Sequence, residues 1–123
     1  MSASPLISIV DDDDSLRNSL NNLIRSVGFR AQGFSSAEAF LNSSELHDTA
    51  CLILDVRMPG MSGLDLQRQL VTANSPIPIV FITSHGDDDA RARALEAGAV
   101  AFLYKPFREE ALLKAIESAL NHK

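Results

Sequence analysis

The sequence predicts an α/β domain built on a parallel sheet with helices on both faces, and three observations lead there. Short continuous apolar runs recur at residues 7–10, 51–54, 79–82 and 100–103, as expected of strands buried on both sides. Segments of helical period alternate with these runs. At 123 residues and 46% hydrophobic composition, the chain suffices for one core and is too short for two ordinary domains.

Taken in order, the first strand at residues 7–10 leads into a helix marked by Leu16, Leu20, Leu23, Ile24 and Val27. Residues 30–34 form a second strand of mixed polarity, which suits an edge. Ser35 and Glu38 have the spacing of a capping box opening a short second helix. The third strand at 51–54 is followed by a helix at about residues 64–73, and the fourth at 79–82 by one at about 88–97 that ends at Gly98. The fifth strand, residues 100–103, precedes a helix marked by Leu112, Ala115, Ile116, Ala119 and Leu120. Strict alternation implies right-handed crossovers and a doubly wound five-stranded sheet with five helices. The polar second strand at an edge favours the flavodoxin-like order 2-1-3-4-5, in which function gathers beyond the carboxyl ends of the strands.

Composition excludes several classes of activity. The formal charge is -5 and no Lys/Arg cluster is present, so this segment is not expected to grip nucleic acid. Neither a signal peptide nor a membrane span is readable, and a cytoplasmic location is the expectation. Residues 1–123 read as a single domain without a second catalytic or DNA-binding unit. The single cysteine, Cys51, lies in an apolar run and is expected to be a buried structural thiol.

The residues just past each strand carry the chemistry. They are Asp11 to Asp14 after the first, Asp55 at the end of the third, Thr83 and Ser84 after the fourth, and Lys105 with Pro106 after the fifth. Asp14 is expected to cap the first helix, and the acidic run 87–89 to cap the fourth. Capping does not explain Asp11 and Asp12, whose crowding with Asp55 calls for a cation, and Mg²⁺ suits a site of few carboxylates and several waters. A carboxylate attacking a phosphoryl group needs a metal, a hydroxyl donor and a fixed cation, and Thr83 and Lys105 supply the last two. Lys105 followed by proline looks fixed in place, by a peptide bond whose isomer the sequence leaves open.

The stretches IVDDDDSLR (9–17), LILDVRMPGMSG (52–63), FITSHGD (81–87), EAGA (96–99) and YKPF (104–107) resemble the receiver domain of bacterial two-component response regulators, above all those of the FixJ type. The resemblance runs from residue 7 to about residue 120. It implies that Asp55 is the phosphoacceptor, that Asp12 touches Mg²⁺ (or Mn²⁺) directly and Asp11 through water, and that the backbone carbonyl of Arg57 is a further ligand. Thr83 and Lys105 would bind phosphoryl oxygens, Thr83 and Phe102 would form the switch pair, and Arg57, Ser84 and His85 would modulate access to the acyl phosphate. Tyr104 is not the switch aromatic. The implied partners are a sensor histidine kinase and a second copy, joined on phosphorylation through helix 4, strand 5 and helix 5. DNA would be reached only through an output domain absent from this chain.

Two other readings compete. An aspartyl-phosphate phosphohydrolase of the haloacid-dehalogenase type needs a second acid two residues after its nucleophile, where this chain has Arg57. A flavodoxin-like flavin binder needs a loop of amides facing an anion, where this chain has four aspartates. His47 and His122 read as surface residues, so neither a triad nor a zinc site is expected.

Overall fold

A computed structural model describes residues 4–84 and 88–121. Five strands alternate with five helices: β1 (Leu6–Val10), α1 (Asp14–Ser26), β2 (Arg30–Phe34), α2 (Ala37–Leu41), β3 (Thr49–Asp55), α3 (Gly63–Thr72), β4 (Ile79–Thr83), α4 (Asp88–Glu96), β5 (Ala101–Tyr104) and α5 (Glu109–Leu120). All strand pairs are parallel and the order is β2-β1-β3-β4-β5, with the mixed-polarity β2 at an edge. The architecture is that read from the sequence. A 3₁₀ turn at Leu46–Asp48, before β3, was not foreseen.

Successive strand residues point to opposite faces, so the strands contribute to two cores. Ile7, Ile9, Cys51, Ile53, Val80 and Ile82 pack under α1 and α5. Val10, Leu52, Leu54, Ile79, Phe81 and Phe102 pack under α2, α3 and α4. Cys51 is buried and free, and burial pushes its thiol up to about 12, which keeps it protonated and unreactive.

Helix starts are where local reading slipped. The α1 cap is Asp13, not Asp14: Asp13 donates its N–H to Asp11 Oδ1 at 2.9 Å, stays extended, and accepts from the Leu16 N–H at 3.2 Å. Asp14 is instead the first helical residue, paired with Arg17. In α2 the cap is Ser36, not Ser35, accepting from the Ala39 N–H at 3.0 Å, so Glu38 does not complete a capping box. A full capping box opens α3 at Ser62 and Asp65, and the bonds from Ser62 hold the Asp65 carboxyl below its usual range. At α4, Asp88 and Asp89 occupy the first turn, while residue 87 lies outside the described residues. Gly98 closes α4 with φ 103 and its N–H on the Leu95 carbonyl.

Candidate functional site

Strand register assembles the site. Val10 lies level with Leu54 and Asp55 level with Ile82, so Asp11 leaves β1 beside the end of β3. Thr83 pairs with Tyr104, and the Lys105 N–H reaches the Thr83 carbonyl at 2.7 Å, which brings Lys105 to the same rim. The peptide bond between Lys105 and Pro106 is cis.

The carboxylate oxygens of Asp11, Asp12 and Asp55 lie within 4.8 Å of one another. Asp11 is fully buried, Asp55 is 6% exposed and Thr83 is 1% exposed, whereas Asp12 faces solvent. Lys105 Nζ sits 2.8 Å from Asp11 Oδ2 and 3.7 Å from Asp55 Oδ1. Both Asp11 oxygens therefore already accept a donor, one from Lys105 and one from the Asp13 N–H. Arg17 Nη1 donates to the Asp11 carbonyl at 2.7 Å and so anchors the backbone where β1 turns outward.

Three carboxylates face one ammonium, and the imbalance falls on Asp55. Burial first, and then the Asp11 and Asp12 charges, lift its carboxyl from 3.8 to about 6 against the opposing pull of Lys105 and the Arg57 N–H. A divalent cation reverses this balance by drawing the carboxylates into their charged form. Partly buried hard oxygens, crowded and short of positive charge, are a donor set that fits Mg²⁺.

The β3–α3 loop is held tightly against Asp55. A Cβ on Gly63 would lie 2.1 Å from the Asp55 carbonyl oxygen, so no other residue lets α3 begin here without moving the strand end. The Gly63 N–H also donates to the Val56 carbonyl at 2.9 Å. Arg57 is exposed, with its main-chain N–H turned to the Asp55 carboxylate.

The remaining candidates are distributed as follows. Phe102 is 9% exposed, with its ring 5.9 Å from Phe81 and 5.5 Å from the half-exposed Tyr104. Ser84 is exposed just past β4, and His85 lies outside the described residues, as does His122. His47 is exposed and away from the rim, in the 3₁₀ turn. Among the described residues, Asp11, Asp12 and Asp55 are the only group of three or more His, Cys, Asp or Glu residues able to hold a metal ion.

Residues 7–117 match the family model of the response regulator receiver domain. The chain belongs to that family. Response regulator protein TmoT of Ectopseudomonas mendocina is 54% identical over 115 residues, covering 94% of this chain and 52% of TmoT. Transcriptional regulatory protein FixJ of Bradyrhizobium diazoefficiens is 42% identical over 114 residues, covering 93% of this chain and 56% of FixJ. The crystal structure of FixJ-N superposes with a TM-score of 0.87 at 39% identity, covering 99% of this chain and 98% of that one. The receiver spans about half the length of the curated relatives it matches.

The match makes this chain a regulatory domain rather than a conventional enzyme, and neither the phosphohydrolase nor the flavin-binding reading is favoured. No helix among the described residues is long and apolar enough to cross a membrane.

Three contacts at the rim escaped sequence reading. Arg17 was visible within IVDDDDSLR, but its bond to the Asp11 carbonyl had no signal of its own. Gly63 stood in the motif LILDVRMPGMSG without its close approach being readable. The spacing of Glu38 points to a local cap, whereas its partner lies 23 residues away.

Proposed function

We propose that the receiver takes a phosphoryl group onto Asp55 from the phosphohistidine of a sensor kinase, or from a small acyl phosphate, in a step its own residues promote. The observation that carries this reading is the rim itself: three carboxylates within 4.8 Å of one another, two of them buried, against a single ammonium. An Asp55 oxygen attacks phosphorus, the bond to the donor nitrogen or oxygen breaks, and the departing group leaves with the bonding pair.

Asp12 and Asp55, with the Arg57 carbonyl, are the groups assigned to hold Mg²⁺ or Mn²⁺. Asp11, whose oxygens are both occupied, acts through water. Bound Mg²⁺ supplies charge neutralisation for the phosphoryl oxygens. Lys105, already 3.7 Å from Asp55, supplies a second fixed positive charge once it turns from the carboxylates to the incoming group. The Thr83 hydroxyl donates to a phosphoryl oxygen and, in moving toward it, lets Phe102 and α4 repack. Arg57 and Ser84, both exposed past their strand ends, are assigned to set how long the acyl phosphate lasts, a role the family resemblance extends to His85.

The readout assigned to this switch is association through α4, β5 and α5, with a second copy or another partner. DNA is reached through an output domain in a longer cytoplasmic regulator, as the relatives' lengths suggest. Calorimetric titration with Mg²⁺ tests the site: the wild type binds one ion, and Asp12→Ala binds at least tenfold more weakly, about 1.4 kcal/mol. Equal affinity of the two proteins removes Asp12 from the ligand set.

A further inference from the structure

The β3–α3 loop is fixed at its two feet and buries Val56 and Met58, while Arg57 and the apex at Pro59 and Gly60 are exposed. The Val56 N–H binds the Ile82 carbonyl at 3.2 Å, and Gly63 closes onto Val56 and the Asp55 backbone. Val56 and Met58 are buried in the same core as Phe40 of α2. At the apex, Glu38 Oε2 accepts the Met61 N–H at 3.1 Å. Gly60, at φ 78, passes so near this carboxylate that a Cβ there would lie 2.9 Å from Glu38 Oε2. This is a long-range contact from a short helix to the loop that presents the Arg57 N–H to Asp55.

We propose that Glu38 is a positioning residue for the chemistry at Asp55: by holding the loop apex, its carboxylate sets where Arg57 presents its main-chain groups. This rests on the phosphoacceptor reading for its consequence and on the Glu38–Met61 bond for its cause. Val56 and Met58 are held by the core and Ser62 by the Asp65 carboxylate, so the Met61 N–H bond to Glu38 is what ties the loop apex between them to α2. Glu38 does not touch the reacting atoms and acts through the loop alone. An acceptor oxygen is all the role requires, so Glu38→Gln preserves it and Glu38→Ala removes it.

The test begins on metal-free protein by amide exchange and backbone NMR. Glu38→Ala is expected to exchange the Met61 amide about fivefold faster or more and to shift the Arg57 amide resonance, with Glu38→Gln matching the wild type. With Mg²⁺ added, Glu38→Ala is expected to need about fivefold more ion for half-maximal phosphorylation by a small acyl phosphate, while the rate at saturating Mg²⁺ returns to the wild-type value. A general loss of folding would lower both and would not be rescued by glutamine. Wild-type Met61 exchange and an unshifted Arg57 amide in Glu38→Ala overturn the proposal, as does a glutamine variant that behaves like alanine. If the wild type binds no Mg²⁺, the functional reading falls on its own, and the metal-free measurements still decide whether Glu38 holds the loop.

Discussion

On one face of the sheet, α1 and α5 bury Leu20, Ile24, Leu112 and Ile116, all 3% exposed or less; on the other, α4 buries only Ala90 and Ala94. A fully buried leucine or isoleucine contributes about 1.5–3 kcal/mol, whereas an alanine methyl contributes about as much as one CH₂, ~0.8 kcal/mol. The α5 helix is therefore held by its own side chains. The α4 helix, with less apolar area buried, is held also by the bonds that close its C-terminal end and by the Gln67 Nε2 bond to the Ala94 carbonyl at 2.9 Å. A domain that must stay folded while one element shifts is served by this division, because a phosphoryl group can offset only a few kcal/mol of rearrangement.

The largest effect expected on that contrast comes from Ile116→Ala, which leaves a cavity under α5 and should cost about 2–5 kcal/mol in urea unfolding. A cost under 1 kcal/mol would remove α5 as the anchoring helix. Next comes Asp55→Asn at the rim, with the opposite sign. Since burial lifts the Asp55 carboxyl from 3.8 to about 6, the folded domain keeps a proton that the unfolded chain has already released. Metal-free stability should thus fall as pH rises from about 4 to about 6 and level off above, and Asp55→Asn should be more stable at pH 7 by about 1–3 kcal/mol. Thermal melts of both proteins across this range check the sign; an identical pH dependence would show that Asp55 carries no strain of this kind.

A smaller change is expected from Ala94→Gly on α4, about 1–2 kcal/mol from helix propensity and one lost methyl. Should it match Ile116→Ala, the two faces are not unequal in the way described. The subtlest outcome is association: sedimentation velocity should show the domain mainly monomeric and gaining self-association, or affinity for a partner, with a beryllofluoride phosphate mimic. Substituting Tyr104, exposed on β5, by serine should weaken that gain without altering the fold. An unchanged sedimentation profile would refute the α4–β5–α5 readout and leave Asp55 untouched.

Much of this was legible because the signals were strong and local. Continuous apolar runs such as residues 51–54 are read as buried strands wherever they fall, and β3 extended only slightly beyond them, to Thr49–Asp55. Asp11, Asp55 and Lys105 could be placed on one rim because strand ends in a parallel sheet converge, and the register confirms the convergence. Caps were less legible because neighbouring candidates compete. Ser35 and Ser36 differ by one position, as do Asp13 and Asp14, and the extended conformation of the residue actually chosen decides between them. Glu38 was beyond reach, since a side chain bonded to Met61 carries no periodicity and only the folded sheet brings α2 to the β3–α3 loop.

The central claim is that Asp55 is the phosphoacceptor, and intact-mass spectrometry after incubation with Mg²⁺ and a small acyl phosphate tests it most directly. The wild type is expected to carry one labile phosphoryl group, which does not form when Mg²⁺ is chelated before donor addition and is absent from Asp55→Asn. A phosphoryl adduct that persists in Asp55→Asn, or a wild type that acquires none with Mg²⁺ present, would contradict it.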